Sequence, residues 1–380
     1  MMKNSEAADL FDSLANPWIA GLRTYEPGRP IEEVARELGF DDAAGILKVA
    51  SNENLLGPSP LAMEAIREQV SSQHVYPDGG AFYLRRALAK RHRLEMEQVL
   101  PCNGSNEAIE LLAHVFLGPG KSMVMGSHAF VVYRLVAGLA QAETIAVPMP
   151  DYVHDLDGMV DAIQPDTRLV FVANPNNPTG TMVTQEALDR FIDRVPDHVI
   201  VVLDEAYIDL LPPEKQPDTL RYVRENRRVF LLRTFSKTYG LAGLRVGYVM
   251  GPEAGIQLLN KVRQPFHVNA LAQVAAMAAL RDEDFVQCTR SMVQEGLLQL
   301  GAACDELGLD YVPSVTNFLL IKTGQGREVC QALQKKKVIV RPMDGYGLPE
   351  YIRVTLGTRQ QNEQLVTALT DVLHAKVVGS

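Results

Sequence analysis

Lys237 stands in the run Arg233-Thr-Phe-Ser-Lys-Thr-Tyr-Gly-Leu-Ala-Gly-Leu-Arg-Val-Gly-Tyr248. The apolar stretch Val229–Leu232 ahead of it reads as a buried strand, so the lysine falls in a loop of hydroxyls and glycines at the strand's end. Thr234, Ser236 and Arg245 flank it. An amine with such neighbours suits an aldehyde cofactor that carries a phosphate: the amine can form a Schiff base while hydroxyls and guanidinium hold the phosphate. Asp204 directly follows the apolar run Val199–Leu203, with Tyr207 three residues on. A carboxylate there can keep the nitrogen of a pyridine ring protonated, which lets the ring draw electrons from a carbanion at the substrate carbon. Tyr207 and Asn177 could hydrogen-bond the ring's phenolic oxygen and so favour a reactive imine near neutral pH.

Two more segments fit that chemistry. Asn103-Gly104-Ser105-Asn106 is a turn opening a helix, whose free backbone amides and dipole make an anion site. Ala173-Asn-Pro-Asn-Asn-Pro-Thr-Gly180 follows another apolar run, and its two Asn-Pro steps force extended or turn geometry that projects Asn177 from the strand's carboxyl end.

The elements that must position these residues can be read from alternation. Short β-branched runs recur at Ser122–Met125, Thr144–Val147, Leu169–Ala173, Val199–Leu203, Val229–Leu232 and Arg245–Met250. Stretches with helical period lie between several of them: Asn106–Phe116, Tyr133–Ala140, Leu156–Ile163 and Thr184–Arg194. This pattern predicts an α/β protein, a three-layer large domain with a mostly parallel sheet covered on both faces. From Pro252 onward the chain reads as largely helical, with the strands Phe318–Lys322, Val338–Val340 and Tyr351–Thr355 near its end. The expected division is a large cofactor-binding domain over 66–280 and a smaller α+β domain with an N-terminal arm, built from 1–65 and 281–380.

Composition narrows the classes. At 380 residues with 47% hydrophobic and 22% charged side chains the chain is an ordinary globular one. A net charge of −9 argues against a nucleic-acid surface. The four cysteines, Cys102, Cys288, Cys304 and Cys330, form no Cys-x-x-Cys pair, which fits a reducing cytosol rather than a disulfide or zinc scaffold. The histidines show no metal-ligand spacing, and no Gly-x-Ser-x-Gly or Walker signature occurs. The first residues lack the apolar core of a signal peptide, and no apolar run approaches a bilayer span. The expectation is a cytoplasmic protein with small-molecule partners.

Taken in order, these segments resemble a pyridoxal-phosphate-dependent aminotransferase of the aspartate-aminotransferase fold, type I, and within it the histidinol-phosphate aminotransferase family. The resemblance extends to Leu22–Pro30, Ser51-Asn-Glu-Asn-Leu-Leu-Gly-Pro-Ser-Pro60, Tyr76-Pro-Asp78, Ile339–Met343 and Tyr351–Thr358. It implies pyridoxal 5′-phosphate as cofactor, with Lys237 as the amine that holds it and shuttles the proton. It also implies Asp204 on the pyridinium, Asn177 and Tyr207 on the phenolic oxygen, and Gly104, Ser105, Asn106, Thr234, Ser236 and Arg245 around the phosphate. Phe130 matches the aromatic that stacks on the ring. Tyr25, Asn54, Arg341 and Arg353 fall to the substrate, Arg353 gripping a carboxylate while Arg341 and Tyr25 complete a site for the substrate's own phosphate. Tyr76 would reach the phosphate in a neighbouring subunit, so a homodimer is expected. The implied reaction passes an amino group between L-histidinol phosphate and 2-oxoglutarate, giving imidazole-acetol phosphate and L-glutamate. Family members often have Pro-Thr-Tyr or Pro-Thr-Phe where this chain has His128-Ala-Phe130. That departure keeps an aromatic amino acid aminotransferase open as an alternative, with a phosphothreonine decarboxylase behind it.

Overall fold

The computed structural model describes residues 11–22, 24, 28–40 and 45–378. Its largest element is a seven-stranded sheet ordered Val99–Cys102, Gly247–Met250, Val229–Thr234, Ile200–Asp204, Thr167–Ala173, Ser122–Gly126, Glu143–Val147. All neighbouring pairs are parallel except the two that involve Gly247–Met250. The central strands read as near-continuous apolar runs because both faces are covered. Val170, Val172, Val201 and Leu203 point into one core, shared with the helices Pro60–Gln69, Phe82–His92, Gln185–Arg194 and Ala270–Ala279. Leu169, Phe171, Ala173 and Val202 point into the other, shared with Ser105–Phe116, Val132–Leu139 and Glu253–Val262. This is the doubly covered α/β sheet that strand–helix alternation predicts.

A second core forms around the four-stranded antiparallel sheet Arg341–Pro342, Tyr351–Thr355, Phe318–Lys322, Tyr311–Val312. The helices Gly326–Lys335 and Arg359–Val378 flank it, and Leu47–Lys48 joins it from the other end of the chain by pairing in parallel with Val338–Ile339. The 24-residue helix Glu283–Glu306 serves both cores, with Val286 in the first and Met292, Val293, Leu300 and Cys304 in the second. The expected break between residues 65 and 66 falls inside Pro60–Gln69. That helix is capped by the Ser59 hydroxyl on Ala62 N and buries Ala62 in the large sheet's core, so the whole of it goes with that sheet. No helix among the described residues is long and apolar enough to cross a membrane.

Candidate active site

The functional side chains gather because parallel strands end together. Asp204 is the last residue of its strand, Thr234 of the next, and the Asn174–Asn177 turn leaves the end of Thr167–Ala173. Ligands in open α/β sheets bind at this carboxyl edge. One cavity there is lined by Ser105, Asn106, Phe130, Asn177, Asp204, Tyr207, Thr234, Ser236, Lys237 and Arg245, with Arg341 and Arg353 closing it from the smaller sheet.

At one end the residues form an anion cradle. Gly104, with φ 79°, turns the chain into the helix Ser105–Phe116, whose first residues, Ser105 and Asn106, line the cavity and bring the amides of a helix N-terminus to it. A Cβ on Gly104 would strike the Arg245 guanidinium, and one on Gly247 would come within 2.7 Å of Ser105 N, so only glycines let these backbones and Arg245 converge. Thr234 Oγ1 donates to Ser236 Oγ at 3.0 Å, which keeps both hydroxyls on the same side. Amides, hydroxyls and a guanidinium in one cradle are the donor set of a phosphate.

At the other end Asp204, 5% exposed, is held from two sides. The Tyr133 hydroxyl donates to Oδ2 at 2.7 Å and Ala206 N to Oδ1 at 3.1 Å. Burial pushes its carboxyl up to about 6, against the pull of those two donors. A cationic ring nitrogen is the partner that such a carboxylate lacks. Lys237 Nζ donates to Ser51 O at 3.2 Å and lies 5.6 Å from the Tyr207 ring centre. Burial, and then the charge of Arg353, bring its amine down to about 8. Phosphate cradle, low-pKa amine and carboxylate together fit pyridoxal 5′-phosphate.

Arg353 and Arg341 are direct cross-strand partners in the smaller sheet. Opposed positions of an antiparallel pair share a face, and like charges there oppose pairing unless an anion lies between them. Arg353 Nη1 also donates to Asn177 Oδ1 at 2.5 Å and Nη2 to Ala50 O at 2.8 Å. Since a guanidinium only donates, Asn177 must present its oxygen to Arg353, which leaves its NH2 for the cavity.

Two of the expected site residues, Asn54 and Tyr76, do not line this cavity, Tyr76 having been expected at a neighbouring subunit's. Asn54 turns away: its Nδ2 donates to Thr238 O and Thr289 Oγ1, both at 3.0 Å, and its Oδ1 accepts from Leu56 N. The asparagine of that run at the cavity is Asn52, two positions earlier, beside Ser51 and Glu53, which line it too. Tyr76 lies on the surface, 79% exposed and stacked on Phe266 at 4.7 Å. Tyr25 lies outside the described residues. Sequence reasoning also passed over Tyr133, whose spacing of three from Phe130 was the available signal, and Tyr346, which no local motif marks.

Comparison with known proteins places this geometry. Residues 44–369 match the family model for aminotransferase class I and II. A histidinol-phosphate aminotransferase of Akkermansia muciniphila is 47% identical over 95% of this chain and 99% of its own length. The Moorella thermoacetica protein of the same name is 48% identical over 93% of this chain and 92% of its own. Among solved structures, the histidinol-phosphate aminotransferase of Sinorhizobium meliloti in complex with pyridoxal-5′-phosphate superposes with a TM-score of 0.85 at 25% identity, covering 96% of this chain and 98% of that one. The aspartate aminotransferase of Thermus thermophilus shares the fold, with a TM-score of 0.82 at 22% identity over 95% of this chain and 99% of that one. With cradle, lysine and aspartate on one sheet edge and relatives matched along nearly its whole length, this chain belongs to the histidinol-phosphate aminotransferase family of the class I and II aminotransferases.

Proposed function

We propose that the chain transfers the amino group of L-histidinol phosphate to 2-oxoglutarate, giving imidazole-acetol phosphate and L-glutamate, a step of histidine biosynthesis. The carrying observation is the directly opposed pair Arg341 and Arg353 at the wall of the cavity that holds Lys237. Two guanidiniums facing one space suit a phosphate monoester in one half-reaction and the carboxylates of glutamate in the other.

Bound pyridoxal 5′-phosphate supplies the aldehyde that carries the amino group and the ring that withdraws electrons. The cradle of Gly104, Ser105, Asn106, Thr234, Ser236 and Arg245 holds its phosphate, Asp204 holds its ring nitrogen, and Phe130 covers its face. Asn177 and Tyr207 donate to its phenolic oxygen. Lys237 Nζ, set free by the incoming amine, would take the proton from the substrate carbon that bears the amino group and deliver it to the cofactor's aldehyde carbon, on the far side of the bridging nitrogen. An amine near pKa 8 is well matched to that exchange at neutral pH.

The large sheet and its helices form the cofactor domain in this reading, and the four-stranded sheet brings the two arginines. The active unit is a homodimer. Its support is an apolar surface of Val70, Val75, Tyr76, Phe82 and Tyr83, all about half or more exposed. Free cysteines, three of them buried, suit a reducing cytoplasm.

The test is a single half-reaction. Cofactor-loaded enzyme is mixed with histidinol phosphate, and separately with phenylalanine and glutamate, while loss of the aldehyde-form absorbance is followed. Saturable conversion by histidinol phosphate at low concentration is expected. Efficient conversion by phenylalanine with little response to histidinol phosphate would make the protein an aromatic aminotransferase, and release of carbon dioxide from added phosphothreonine would make it a decarboxylase.

A further inference from the structure

Asn52 is 1% exposed and has a left-handed backbone, φ 55°, a conformation that asparagine tolerates better than most side chains. Four hydrogen bonds fix it. Its N–H donates to Thr355 Oγ1 at 2.9 Å, the Thr355 hydroxyl donates to Asn52 Oδ1 at 3.2 Å, Asn317 Nδ2 donates to Asn52 O at 3.1 Å, and Asn52 Nδ2 donates to the Tyr207 hydroxyl oxygen at 2.9 Å.

The directions of these bonds follow from counting hydrogens. A backbone N–H can only donate, so Thr355 accepts from it and has its single hydrogen left for the amide oxygen. The oxygen end of the Asn52 side chain is therefore the end at Thr355, and the NH2 end is the one at Tyr207. Tyr207 also carries a single hydrogen. Because its oxygen already accepts from Asn52, that hydrogen remains for the cavity that Tyr207 lines.

We propose that Asn52 is a positioning residue, which occupies the acceptor side of Tyr207 and turns the tyrosine's hydrogen toward the cofactor's phenolic oxygen. Arg353 treats Asn177 in the same way, taking its oxygen and leaving its NH2. Arg353 and Thr355 lie two apart on one strand and share a face, so that strand sets the polarity of both donors from behind. The inference rests on the reading above that Tyr207 meets the phenolic oxygen, and the experiment separates the two.

A hydrogen bond donated to the ring oxygen stabilises its anion and eases loss of the neighbouring proton, so losing that bond raises the pH midpoint of the holoenzyme's visible absorbance. The midpoint is titrated for wild type, Asn52→Gly, Tyr207→Phe and the double variant, glycine being chosen because it keeps the left-handed backbone. Tyr207→Phe is expected to raise it by about one unit, the size of one hydrogen bond to a charged group. Asn52→Gly is expected to raise it by roughly half a unit, because Tyr207 is then free to turn away, and the double variant to stop where Tyr207→Phe alone stops. If Tyr207→Phe moves the midpoint and Asn52→Gly does not, or if the two shifts add, Asn52 does not act through Tyr207 and the inference falls. An unmoved midpoint in Tyr207→Phe would remove the placement of Tyr207 itself, and the inference with it. Should Asn52→Gly fail to fold, Thr355→Val removes the hydrogen that pins the amide, and the same cycle with Tyr207→Phe decides.

Discussion

Lys237 is a buried amine beside a guanidinium, and both circumstances disfavour its charged form. Its pKa near 8, in place of the ordinary value of 10.5, has a direct consequence for loading the cofactor, because only the neutral amine attacks an aldehyde. The rate at which the apoprotein takes up pyridoxal 5′-phosphate should rise with pH and level off above a midpoint near 8. Arg353→Leu removes the positive charge that helps to lower that value, so its midpoint should move upward, by about one unit or less. Stopped-flow absorbance from pH 6 to 10 measures both. A midpoint unchanged in Arg353→Leu would mean that burial, with Arg245, sets the amine without Arg353. The sequence exposed Asp204 because it directly follows an apolar run, and Lys237 because it falls in the hydroxyl-rich loop after another, both one-dimensional signals. It could not separate Asn52 from Asn54, two asparagines in one polar run, because what distinguishes them is the left-handed turn at Asn52 and the long-range partners Thr238 and Thr289 that claim Asn54.

At the scale of the strand, alternation divides the acidic pair that follows Leu203. Asp204 faces the cavity, whereas Glu205 faces the opposite side, where it accepts from Arg233 Nε at 2.8 Å and from the Thr219 hydroxyl. Arg233 and Glu205 side chains are 6% and 1% exposed, so this ion pair clamps, in a dry setting, the end of the strand that carries Asp204 to the strand that leads into the Lys237 loop. Removing one partner leaves the other charge buried, at a typical cost of about 3–5 kcal/mol, whereas replacing both by apolar groups is often close to neutral. Arg233→Met should therefore lose stability of that order in urea titration, and Arg233→Met with Glu205→Leu should recover most of it. A double variant no better than the single one would show that the pair is not self-contained and that Asp209, 3.8 Å from Arg233, shares the load. The central strands were legible because their runs are apolar on both faces. Val99–Cys102 and Arg341–Pro342 were not, and each contains a proline and sits at the edge of its sheet, where short, interrupted strands are tolerated and leave little pattern.

For the whole molecule, the two-arginine wall was visible only as two arginines twelve residues apart in the chain; the antiparallel register that sets them face to face belongs to the sheet. The proposed contribution from a second subunit is less legible still, since nothing in one chain marks where another ends. Tyr76 supplies the test. Exposed and stacked on Phe266, it is poorly explained by its own subunit. If its hydroxyl meets the cofactor phosphate of a neighbour, Tyr76→Phe should keep the dimer, read by light scattering, and weaken cofactor binding roughly 10- to 100-fold, the worth of one hydrogen bond to a charged group. Hybrids decide whether the effect crosses subunits. A dimer of one Tyr76→Phe chain and one Lys237→Ala chain contains one site with an intact lysine, and that site faces the other chain's unmodified tyrosine. Such hybrids, formed by co-expression with two affinity tags, should bind one cofactor per dimer with wild-type affinity. Weakened binding at that site would put the hydroxyl's role within its own subunit, and a fully active monomer would remove the dimer from the mechanism.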